Sequence, residues 1–170
     1  MMAKLTKIGL LIVPICVGLS VFAFAAEKRV VGWIENVSIY PGNMKVKAKL
    51  DTGARNSSLN AQNLEQFKRD GENWIRFELK NYKNRLEVFE AKVIRTARIK
   101  QLNDKPDIRP VIKLGICIGN TYQEVEVNLE DRSGFNYQML IGRSFLKGSF
   151  IIDPERAFTI KPNCQGVSDQ

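Results

Sequence analysis

The chain has 170 residues, a formal charge of +8 and no histidine. That length suits one hydrophobic core, and the missing imidazole excludes a Ser-His-Asp triad and every histidine-based zinc site. Basic and acidic residues are interspersed, as in Lys80, Lys83, Arg85, Glu87, Glu90 and Lys92. The positive balance therefore reads as a solvated surface and not as a nucleic-acid-binding block, while leaving attraction to an anionic envelope surface or acidic substrates open.

Lys4 and Lys7 precede an uncharged run from Ile8 to Ala26 that ends in the small-x-small site Ala23-Phe24-Ala25. This pattern predicts a secretory signal peptide over residues 1–25, placing the mature chain in the periplasm or outside the cell. The run is also nearly long enough to stay behind as a membrane anchor. Residues 26–160 are then the folded domain, and the polar stretch 161–170 is expected to be loose. Export permits a disulfide between Cys117 and Cys164, although Cys117 in an apolar strand is equally explained as core.

Within the domain, short strands alternate with turns. Val30 to Ile39 is the first strand, with Gly32 as a candidate bulge, and Tyr40-Pro41-Gly42-Asn43 turns it back. Val46, Ala48 and Leu50 alternate with lysines in the next strand, which runs into Asp51-Thr52-Gly53-Ala54. Leu64 and Phe67 stand at helical spacing, so Ala61 to Arg69 predicts a short helix or surface turn. Trp74 to Leu79 and Leu86 to Thr96 form a hairpin whose tip at Lys80 to Arg85 is a candidate cover for a site. Gln101 to Pro110 is loop-like. Val111 to Ile118 and Gln123 to Leu129 pair around Gly119, and the polar loop Glu130 to Asn136 leads to Met139-Leu140-Ile141-Gly142-Arg143. Gly148 to Asp153, a turn at Pro154 and Ala157 to Ile160 close the chain. The expectation is a mainly β, small closed barrel with one or two short helices.

Asp51-Thr52-Gly53 alone is explained by a turn after a strand, but it is followed downstream by an apolar run closing on Gly142-Arg143. Together, in this order, the two segments resemble the retropepsin-like aspartic peptidases. The wider stretches KAKLDTGARNSSL, RPVIKLGI and EDRSGFNYQMLIGRSFLKGSFIIDP are similar to a bacterial group within them, often labelled ATP-dependent zinc protease. The chain has neither a phosphate-binding loop nor a histidine or cysteine cluster, so these residues support neither half of that label, and no metal or cofactor is expected. A metal-dependent hydrolase would have to rely on Asp and Glu alone.

The resemblance implies an acid-protease barrel acting on a peptide or protein substrate. Only one Asp-Thr-Gly occurs, so it also implies a homodimer in which each subunit supplies one Asp51 to a shared-proton dyad. Thr52 would lock the two loops across the two-fold axis, Gly53 would let the backbone approach substrate, and Ala54 would keep the loop narrow. Ser57 and Ser58 are candidates for lining the cleft, and Arg109 for touching substrate. Ile141, Gly142 and Arg143 form the segment that braces the catalytic loop from below, with Arg143 expected as a buried guanidinium. The retroviral pattern carries an acid after Asp-Thr-Gly-Ala to meet that arginine; here Arg55 takes its place, and Asp131 is the substitute candidate. Asn60 stands where the bacterial group often has histidine. A binding or scaffold module of the same fold, in which the Asp51 loop is purely structural, is the competing reading.

Overall fold

A computed structural model of the protein describes residues 27–81, 83–99, 106–131 and 134–167. The segment read as a signal peptide lies outside the described residues. Strand β1 (Arg29–Tyr40) turns through Gly42 and Asn43, both at positive φ, into β2 (Met44–Leu50). β2 alternates buried and exposed residues along its whole length, the period a half-buried strand demands. After the Asp51 loop come β3 (Ser57–Asn60), β4 (Gln62–Arg69), β5 (Glu72–Lys80), β6 (Leu86–Lys92) and β7 (Arg95–Ile99). The hairpin β8 (Asp107–Ile118) and β9 (Thr121–Glu130) is followed by β10 (Met139–Ile141), helix α1 (Arg143–Leu146) and β11 (Phe150–Ala157).

One eight-stranded sheet runs β11-β1-β2-β10-β3-β9-β8-β7, and β1 pairs again with β8. That second pairing closes β1, β2, β10, β3, β9 and β8 into a six-stranded barrel and leaves β7 and β11 as outriggers. The barrel is filled from both sheets. Val37, Ile39, Val46, Ala48, Leu59, Ile116, Val127 and Ile141 point inward, and Ile75, Phe77 and Leu79 of β5 pack onto them from the separate sheet β4-β5-β6. Closure explains why no long helix is needed, since the inner face is covered by the sheet itself.

Four expectations change. The segment carrying Leu64 and Phe67 is strand β4, antiparallel to β5, with a register shift between Gln62 and Glu65 where Asn63 takes φ 50. Two apolar side chains give a nine-residue helix too little to pack, whereas the edge of β5 offers a full ladder of backbone hydrogen bonds. The helix forms instead directly after Gly142. The stretch ending in Arg109 and Pro110 is already strand β8 from Asp107 onward, paired with β7.

At the far end, β11 continues through Pro154 to Ala157, and the expected strand Ala157 to Ile160 is absent. Pro154 is tolerated because β11 is an edge strand whose parallel register with β1 slips just there, between Gly32 and Ile34. Of the stretch expected to be loose, the described residues as far as Cys164 are strapped to the barrel together with those just before them. The buried Glu35 carboxylate accepts from the backbone N–H groups of Thr159, at 2.9 Å, and Ile160, at 3.3 Å. Asn163 donates to the Gly119 carbonyl at 2.6 Å, and Cys164 is disulfide-bonded to Cys117.

Candidate active site

The two ends of the Asp51 loop leave the barrel on neighbouring but unpaired strands, β2 and β3. β10 is inserted between them, parallel to β2 and antiparallel to β3. Ile141 lies opposite Leu50, the residue before Asp51, and its carbonyl accepts the Asp51 N–H at 2.8 Å. The chain then turns under the loop. The carbonyls of Thr52 and Gly53 accept from the Arg143 guanidinium at 2.8 and 2.7 Å, that of Ala54 from the Arg143 N–H at 2.9 Å, and that of Arg55 from the Ser144 N–H at 2.9 Å. Four successive carbonyls are thus held by two residues.

Gly142 makes this approach possible: a β-carbon there would stand 2.5 Å from the Asn56 carbonyl oxygen. Its N–H is taken by the Ser57 hydroxyl at 3.1 Å, and the Ser57 carbonyl accepts from the Asn128 amide at 2.8 Å. Ser57 is fully buried, so both bonds satisfy groups that water cannot reach.

Asp51 itself is about a quarter exposed. Its Oδ1 accepts the N–H of Gly53 at 2.9 Å and of Ala54 at 3.2 Å, fixing the carboxylate in its own turn. Oδ2 stays outside that turn, with the Lys49 ammonium 4.0 Å away. The loop separates two hollows. Asp51 and Thr52 line one of about 360 Å³ together with Trp33, Ile152 and Pro154. Ala54, Arg55, Asn56 and Ser58 line the other, a cleft of about 290 Å³ whose far wall is β7 and β8, with Arg95, Ile99, Arg109 and Val111.

That wall is a charged lattice. Arg109 donates to the Asp107 carboxylate at 2.6 Å and to the Asn128 side chain at 3.3 Å, and is ion-paired with Glu130. Arg95 is bonded to Glu126, which together with the nearby Arg55 and Lys113 charges holds the Glu126 carboxyl below its usual range. Arg55 lines the same cleft without an ion pair of its own among the described residues.

The structure therefore brings Asp51, Thr52, Gly53, Ala54, Ser57, Ile141, Gly142 and Arg143 into one unit and sets Ser58 and Arg109 on the adjoining cleft. Three details differ from expectation. Ser57, a candidate for lining the cleft, is fully buried and holds the Gly142 N–H instead. Arg143 is exposed in the single chain and spends its donors on carbonyls, and Asp131 lies elsewhere, beside Arg109, Glu130 and Phe135 around a separate hollow. The two hydrogens of one guanidinium nitrogen, Nη1, meet the two adjacent carbonyls. Sequence reasoning missed Trp33, Asn128 and Arg95. None of the three carried a signal; Asn128 keeps the polar place in a clean alternation with Glu124 and Glu126. The tip of the β5–β6 hairpin, read as a candidate cover, does not line either hollow; β7 and β8 wall the cleft instead.

A closed barrel whose Asp-Thr-Gly loop is braced by a distant Gly-Arg segment defines a retropepsin-like fold. Residues 30–163 match the family model described as retropepsin-like aspartic endopeptidase RimB. The chain belongs to this RimB-like family. It is also 37% identical over 118 residues to a probable alpha-L-glutamate ligase of Shewanella pealeana, a match covering 68% of this chain and 26% of that protein. A second protein of the same description, from Desulfotalea psychrophila, is 32% identical over 136 residues, covering 75% of this chain and 28% of the relative. The chain thus matches only about a quarter of the length of these relatives. Among solved structures, a Legionella pneumophila protein of unknown function, Lpg0085, superposes with a TM-score of 0.67 at 29% identity, over 79% of this chain and all of that one.

Proposed function

We propose that the protein is an exported aspartic endopeptidase that works as a homodimer. The observation that carries this reading is the presentation of Asp51. Its loop is clamped through every carbonyl from Thr52 to Arg55, while Oδ2 remains outside the turn and faces an open hollow. Among the described residues no second carboxylate bonds to it, and a hydrolytic dyad needs two. A two-fold partner supplies the other Asp51. One ionised carboxylate takes a proton from water, the protonated one polarises the scissile carbonyl, and the amine leaves with a proton returned from the dyad. The exposed Thr52 and Gly53 are the residues that meet the partner loop, and burial of Arg143 follows from that contact. The Cys117–Cys164 bridge supports an oxidising compartment.

The ligase relatives bear on substrate. A chain segment that also occurs within proteins named for joining glutamate suits a hydrolase of glutamate-bearing peptides, and Arg55, which has no ion pair among the described residues, supplies a cation for them in the cleft. One observation favours the competing module reading: Oδ1 already satisfies two backbone donors, which is sufficient for a structural turn.

The test compares mature protein with Asp51→Asn on unfolded proteins and glutamate-rich peptides from acidic to neutral pH, with and without EDTA. The expected result is cleavage by the wild type in EDTA and none by the variant, which keeps both turn hydrogen bonds through its amide oxygen. Cleavage that survives Asp51→Asn, or that stops in EDTA, overturns the mechanism.

A further inference from the structure

The exposed face of β2 carries Lys45, Lys47 and Lys49, one on every second residue. Alternate residues of a strand are about 7 Å apart, so the three ammonium groups form a row of about 14 Å leading to the Asp51 loop. Among the described residues its strand neighbours carry no charge. Opposite these lysines on β1 stand Ser38, Asn36 and Ile34, and on β10 Leu140 lies beside Lys49. Lys45 and Lys47 make no ion pair among the described residues, and Lys49 has only Asp51, at 4.0 Å.

Part of the surface behaves differently. Arg69, Arg76, Lys92, Arg95, Lys113 and Arg156 each sit against a carboxylate. What sets Lys45, Lys47 and Lys49 apart is their alternate spacing along one exposed strand face, and not the lack of a partner alone, which Arg55 shares.

The strapped C-terminal segment extends the row. Lys161 and Pro162 border a hollow of about 230 Å³ with Asn36 and Lys45, and the Phe158 ring lies 5.7 Å from the Lys47 ammonium. Glu35 and the Cys117–Cys164 bridge hold this segment in place, so Lys161 is presented at a fixed position beside β2.

We infer that this lysine face is a docking surface for an acidic, extended peptide segment whose alternate side chains are carboxylates. The pitch of the row equals the side-chain pitch of an extended chain, which lets each ammonium meet one carboxylate on the same side of the ligand. The row ends beside Asp51, so it would hold the acidic continuation of a chain whose scissile bond lies at the catalytic loop. In that respect the inference rests on the peptidase reading, but the surface itself is tested by binding alone.

The full chain carrying Asp51→Asn is titrated with a fluorescein-labelled peptide that alternates Glu and Thr, at low and moderate salt. Replacing Lys45, Lys47 and Lys161 together with alanine is expected to weaken binding by about tenfold at low salt and to flatten its salt dependence. Lys92→Ala with Lys113→Ala removes the same kind of charge from paired sites and is expected to change it less than about twofold. A peptide of the same composition with its Glu residues in one block is expected to bind the unsubstituted face more weakly than the alternating one.

Equal binding by the triple variant overturns the inference, and so does equal preference for the block peptide. If the triple variant loses association with anionic lipid vesicles while peptide binding is unchanged, the face serves a membrane and the inference fails. Lysine-dependent peptide binding without any cleavage by the wild type keeps this surface and sinks the peptidase reading. Cleavage of acidic peptides that ignores these lysines does the reverse.

Discussion

At Gly142 a β-carbon would press on backbone atoms, which cannot swing aside as a side chain would. Gly142→Ala must therefore push Asn56 and the Asp51 loop away. A cost of about 1–3 kcal/mol is expected in denaturant titration; under the proposed peptidase function, cleavage is expected to fall about a hundredfold, because the carboxylate is displaced from its working position. The place of this glycine and of Arg143 was legible only through the resemblance, which implies that such a segment packs beneath the Asp-Thr-Gly loop. The acceptors of Arg143 were not legible. Carbonyls belong to every residue alike, and only the fold decides which of them face a guanidinium.

Elements explain what residues cannot. The loop between β2 and β3 is rigid because β10 is wedged between them, and α1 starts where the wedge ends, so the brace is a strand-turn-helix unit and not a single contact. β1, β2, β5, β8 and β9 could be read from alternation because each buries one face or both. β4 could not: its exposed pattern has no period of two, and its identity depends on having β5 beside it.

The β7–β8 wall carries a pH response. Bonding to Arg95 lowers the Glu126 pKa from the ordinary 4.5. A lowered carboxylate stabilises the fold above its unfolded pKa, and that contribution disappears as pH falls through the lower, folded value. The Arg95 cation is thus unmasked in the cleft only in acid, below the usual carboxylate range. Arg95→Ala removes the first cause of the shift, so the Glu126 carboxyl, followed by carbon NMR against pH, is expected to titrate higher than in the wild type. An unchanged midpoint would refute the assignment.

For the molecule as a whole, closure was legible from many short strands, and the role of the last residues was not. Glu35 is one of several acids in the sequence, and nothing local marks it as the buried anchor of a segment more than a hundred residues away. The Cys117–Cys164 bridge spans 47 residues. A link of that length restricts the unfolded chain by about 4 kcal/mol. Cys117→Ser with Cys164→Ser is expected to lower unfolding stability by about that amount in denaturant, and the reduced wild type to match it. Equal stability of bridged and reduced chains would show that Glu35 and Asn163 hold the strap unaided.

The wedge of β10 also sets a clock on biogenesis. Asp51 is made about 90 residues before the strand that fixes its loop, and pairing over such separations is slow because a long loop must close before any contact repays it. A ribosome delivering this chain releases Asp51 long before Met139, so the nascent polypeptide carries its carboxylate on an unbraced turn. Until Met139 to Arg143 have been made, no partner exists for the carbonyls of Thr52 to Arg55, and the loop cannot take the form it has in the closed barrel.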